Sequence, residues 1–92
     1  MYNNLIRELP VHMSINYGTH SILALAKNTH TYLIIAKTEN GGNYELATVK
    51  NGNIKFLKAN TARIKMLLCS KKVNDFIQKI SKISIISHVL RF

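Results

Sequence analysis

The dipeptide Asn51-Gly52, set between ELATVK and NIKFLK, is the feature that most restricts what this chain can become. A two-residue type I′ loop needs positive φ at both positions, and Asn followed by Gly supplies that at small cost. The loop length then sets the register. Val49 faces Ile54, Ala47 faces Phe56, and Glu45 faces Lys58, the last a cross-strand pair of opposite charge. A lone hairpin is marginal in water, so this one needs further strands. Strands are predicted near 21–27, 30–38, 43–50 and 53–59. Gly41-Gly42 closes the middle hairpin, setting Ile34 beside Val49 and Ala36 beside Ala47. Asn28-Thr29 closes the first, setting Leu23 beside Ile34 and Leu25 beside Tyr32.

On that register one face collects Leu23, Leu25, Tyr32, Ile34, Ala36, Ala47, Val49, Ile54 and Phe56, and this is the predicted core. The reverse carries Ile22, Ala24, Leu33, Ile35, Leu46 and Leu57, with Thr48, Lys50 and Lys55 at one end. A face left in water has no use for so many aliphatics. Cover is expected from the N-terminal segment, the C-terminal tail, a second copy or a partner, so a homodimer is compatible with the pattern.

Helix follows the strands. Asn60 or Thr61 can cap its start. A single helix over 61–82 would split its apolar residues, with Ile64, Leu67 and Leu68 on one side and Val73, Phe76, Ile77 and Ile80 nearly opposite. A break at Cys69-Ser70 removes the conflict and makes Ser70 the N-cap of a second helix over about 71–82. The tail SIISHVLRF is rich in β-branched residues and is predicted to add a short final strand. Upstream, Leu5, Ile6 and Leu9 have helical spacing before Pro10. The expected architecture is a single α+β domain over residues 1–92. It is a four-stranded antiparallel meander, then a broken amphipathic helical segment and a short C-terminal tail.

Charge divides the chain. Residues 1–49 balance three basic against three acidic side chains, whereas 50–92 hold ten of the thirteen basic residues against Asp75 alone. A net charge of +9 concentrated in one half points to a polyanionic partner or an acidic protein face. The plain alternative is a solubilising surface. The candidate contacts are Lys50, Lys55, Lys58, Arg63, Lys65, Lys71, Lys72, Lys79 and Lys82. Lysine predominates, which favours neutralising a phosphate backbone over reading bases. Arg63 is the one guanidinium among these candidates and so the one suited to a directional contact. The expected partner is RNA, DNA or a nucleoprotein complex.

Catalysis is not expected. The carboxylates Glu8, Glu39, Glu45 and Asp75 form no pair placed for acid–base work. His12, His20, His30 and His88 are scattered without ligand spacing, so neither metal nor cofactor is expected. An acid-free alternative remains, a small toxin-like ribonuclease that works without metal through His88, Tyr44 or Tyr32. No run approaches the roughly 18 apolar residues of a membrane span, and no signal peptide is visible. Cys69 is alone, cannot form an internal disulfide, and is expected as a small core residue in a reducing, cytoplasmic setting.

A short chain with a small meander, helices and no catalytic motif is similar in size and architecture to anti-CRISPR proteins. These are compact inhibitors, encoded by phages and mobile elements, that block nucleic-acid-guided nuclease complexes without chemistry of their own. The resemblance implies action in a host-cell cytoplasm, on guide RNA or on acidic protein surfaces where target DNA lies. Many members are acidic DNA mimics, and the net charge of +9 departs from that pattern. Competition for the nucleic acid itself fits this chain better.

Overall fold

A computed structural model describes the backbone of residues 9–57 and 62–89 and the side chains of these residues through Ile85. The fold is α+β. Five strands, β1 (Val11–Tyr17), β2 (His20–Asn28), β3 (Thr31–Thr38), β4 (Asn43–Lys50) and β5 (Asn53–Phe56), form one antiparallel sheet in sequence order. Two helices follow, α1 (Ala62–Leu68) and α2 (Lys71–Val89).

The last hairpin forms as its turn residues demand. Asn51 and Gly52 take φ of 49° and 84°, and Val49 pairs with Ile54 and Ala47 with Phe56. Lys58, the expected partner of Glu45, lies outside the described residues.

The remaining strands depart from expectation in four ways. First, β1 forms where no strand is predicted, so the meander has five strands and not four. Its signal is present: Val11, Met13, Ile15 and Tyr17 alternate with polar residues, and Gly18 follows at φ 61° to turn the chain. Second, β2 is inverted relative to the predicted face. Its loop is Thr29-His30, and the register shifts between Ala26 and Asn28, so that Ala24 and not Leu23 pairs with Ile34. A change of one residue in register exchanges the faces. Ile22 and Ala24 therefore enter the main core, while Leu23 and Leu25 join Leu33 and Ile35 on the reverse.

Third, β3 and β4 pair two residues away from the expected alignment, Ile34 with Ala47 and Tyr32 with Val49. A bulge follows between Ile34 and Ile35, leaving Leu46 as the extra residue. It turns Leu46, expected on the reverse face, into the main core, where it is fully buried beside Ala47. Fourth, Phe56 occupies the core-side register of Ala47 but is 49% exposed at the end of the short edge strand. It is not the core anchor predicted.

The helical break occurs as expected. The Ser70 hydroxyl accepts the Val73 N–H at 3.3 Å, capping α2, and the Asn74 side-chain amide donates back to the carbonyls of Leu68 and Ser70. Cys69 stands in this turn, exposed, and is not a core residue. The predicted final strand is absent from the described residues: α2 continues to Val89, and residues 90–92 lie outside them. Ser81 and Ser84 explain the continuation. Both face inward and hydrogen-bond the Gly52 backbone, so tertiary contact overrides the β-branched propensity of this segment.

The main core lies between the helices and one face of the sheet. Val73, Phe76, Ile77 and Ile80 of α2, with Leu67 of α1, pack on Ile22, Ala24, Ile34, Ala36, Leu46, Ala47 and Val49. On the reverse, Leu25, Leu33 and Ile35 are buried in a second cluster, against which Leu9 and Leu23 pack. Among the described residues, no helix is long and apolar enough to cross a membrane.

Candidate nucleic-acid interface

α2 presents a basic stripe. At 100° per residue, Lys71, Lys72, Asp75, Lys79 and Lys82 fall within a sector of about 100°. All five are exposed, and the opposite side of the helix is buried in the core. Lys71 pairs with Asp75 at 3.0 Å, but both side chains stand largely in water at 90% and 64% exposure, so the pair is screened and weak. The stripe thus has a net positive field on a helix fixed by its apolar side.

The other predicted contacts do not join it. Lys50 and Lys55 follow Val49 and Ile54 in their strands, and those residues belong to the helix-covered face or pack against it. Alternation therefore puts Lys50 and Lys55 on the reverse of the sheet, away from α2. Lys65 is exposed on α1. Lys58 lies outside the described residues. The eight candidates among the described residues are spread over two sides of the domain and do not form one patch.

Arg63 is held by a neighbouring aromatic side chain. Its Nη1 donates to the Tyr44 hydroxyl at 2.9 Å, and its guanidinium carbon stands 5.6 Å from the centre of the Tyr44 ring, within cation–π range. Arg63 forms one wall of a cleft of about 240 Å³, completed by Thr19, His20, Thr38, Glu39 and Asn40. Meander topology explains the assembly. The β1–β2 and β3–β4 turns emerge at the same end of the sheet, and Thr38 pairs directly with His20. The second turn is tight: Gly41 takes φ 86°, its N–H donates to the Thr38 carbonyl at 3.0 Å, and the Thr38 hydroxyl accepts the Gly42 N–H at 3.0 Å.

His20 opens β2 with the same facing as Ile22 and Ala24, toward the helices. It is 9% exposed, and its Nε2 is buried without a hydrogen-bond partner among the described residues. A buried ring nitrogen without a partner is costly to retain. Reasoning from sequence reached Arg63 but missed His20, Thr19 and the 38–40 turn. Meander pairing could have brought the two turns together, but nothing local shows that α1 lays Arg63 beside them.

The residues expected for a ribonuclease take other roles. Tyr32 is buried, its hydroxyl donates to the Thr29 carbonyl at 3.3 Å, and its ring lies 5.3 Å from that of His12. Tyr44 is occupied by Arg63. The His88 side chain lies outside the described residues. Among the described residues, no three His, Cys, Asp or Glu side chains are grouped to hold a metal ion. No protein-family model, no curated protein and no solved structure matches this chain.

Proposed function

We propose that this protein is a non-catalytic binder of nucleic acid, or of a nucleoprotein complex, which it engages through the basic stripe of α2. One observation carries this reading: Lys71, Lys72, Lys79 and Lys82 are all exposed on one sector of a helix whose other side is anchored in the core. Four exposed ammonium groups of one sign, with Asp75 alone among them, suit a run of phosphates. Their weakness in base discrimination is what a backbone contact requires. Inhibition of a nucleic-acid-guided defence complex, the role implied by the likeness to anti-CRISPR proteins, is one use for such a surface.

The test is the salt dependence of binding to single- and double-stranded RNA and DNA. Neutralising Z phosphates gives a slope of log K against log salt between roughly −0.7Z and −0.9Z. Replacing all four lysines by Gln should flatten the slope by about 3 with the circular dichroism unchanged. Absence of binding by the wild type at low salt refutes the reading.

A second reading has one observation in its favour. His20, Glu39 and Arg63 line the same cleft, and these are residue types that metal-independent RNA cleavage can use. RNA cleavage in the presence of a chelator, abolished by His20→Ala, would favour the ribonuclease over the binder.

A further inference from the structure

The cleft has a charge balance unlike that of the basic stripe on α2. Arg63 contributes one positive charge and Glu39 one negative charge, and the other lining groups are His20, Thr19, Thr38 and Asn40. A bare phosphate would gain from Arg63 and lose to Glu39 in the same small space. A neutral ligand that offers acceptors to Arg63 and donors to Glu39 satisfies both. At about 240 Å³ the cleft is below the usual range for whole small-molecule ligands, though ample for one flat heterocycle.

We propose that the cleft walled by Arg63 and Glu39 takes a single unpaired guanine base of a nucleic-acid strand that lies along the domain. Among the four bases, guanine alone carries two adjacent acceptors, O6 and N7, and two adjacent donors, the N1–H and the 2-amino group. Arg63 matches the first pair as a bidentate fork and the Glu39 carboxylate matches the second. One Arg63 nitrogen is already tied to Tyr44, which holds the guanidinium in place and leaves its other donors available. Cytosine offers one amino donor and adenine one, so each leaves part of Glu39 unanswered. The inference rests on the nucleic-acid reading above and makes it specific: lysines hold the backbone, and the cleft reads one base. Unstacked bases are the usual targets of sequence-specific recognition in single strands.

The test has two arms. In the first, the chain labelled with ¹⁵N is titrated with GMP, AMP, CMP, UMP and inorganic phosphate, following the Arg63 side chain and the Thr19, Glu39 and Asn40 amides. Shifts with GMP that exceed those of the other nucleotides support the inference. Equal shifts with all four and with phosphate overturn it in favour of an anion site, and no shifts with any of them also overturn it. In the second, a uridine octamer carrying one central G, A or C is bound at fixed salt. A preference for G of roughly 5- to 150-fold is expected for one bidentate readout. It should fall with 7-deazaguanine, with inosine and with Glu39→Gln, while the salt slope stays constant. Strand binding without base preference overturns the inference but leaves the basic stripe intact. GMP-specific shifts without strand binding retain the cleft and remove the nucleic-acid reading.

Discussion

The hydroxyl of Ser84 is the point where the helix layer is fastened to the sheet, and replacing it by Ala tests how much that fastening contributes. Ser84 is fully buried; its Oγ accepts the Gly52 N–H at 2.8 Å and donates to the Ser81 carbonyl at 2.6 Å. The Ser81 hydroxyl donates to the Gly52 carbonyl at 2.8 Å, so two serines of α2 grip both polar groups of one turn residue. His30 adds a third tie, its Nδ1 lying 3.2 Å from the Ser84 carbonyl oxygen. Ser84→Ala leaves the part-buried Gly52 N–H without its acceptor, a loss of about 1–3 kcal/mol. Ala recovers roughly 0.5 kcal/mol through its better helix propensity. A net loss of about 0.5–2.5 kcal/mol remains, which corresponds to a fall in Tm of roughly 2–20 °C for a domain of this size. Ser81→Ala should cost less, because a carbonyl finds water more readily than an N–H does. The two changes share Gly52 and should therefore be non-additive by at least about 0.5 kcal/mol. The assay is urea unfolding followed by circular dichroism, with the exposed Lys82→Ala as control. A Ser84→Ala variant within about 0.5 kcal/mol of wild type, or a fully additive double variant, would refute the clamp.

Phe56→Ala should cost clearly less than Ile77→Ala: the first side chain is 49% exposed and the second fully buried, for which about 2–5 kcal/mol is expected; equal losses in urea melts would overturn the assignment of the core. Gly52→Ala should destabilise by more than about 1 kcal/mol, since its φ is 84° and a methyl there would collide with the Ile85 side chain. Recovery of stability in a Gly52→Ala/Ile85→Ala double variant would show how much of the loss is steric. Ser70→Ala should lower stability by about 0.5–2 kcal/mol through loss of the α2 cap, and Ser70→Asp should largely restore it; an unchanged melt for Ser70→Ala would remove the cap from the account.

Local chemistry determined what short segments of sequence can determine. Asn51-Gly52 carries its own backbone preference, so the last hairpin and its register follow from two residues and a loop length. The break at Cys69-Ser70 follows from the mismatch of two apolar stripes, and Ser70 caps α2 for reasons internal to one turn. The alternation in β1 was equally local and equally legible. Tertiary structure decided the rest, because it depends on groups far apart in the chain. A register shift near Lys27 and a bulge at Leu46 each change which side chains face the helices, and both are stabilised by what is buried on the sheet faces afterwards. The end of α2 stays helical because Gly52, about thirty residues earlier, receives its serines. The basic stripe was visible as periodicity in one helix. The cleft was not, since Thr19 and His20, the 38–40 turn and Arg63 meet only when the meander brings two turns to one end and α1 folds over them.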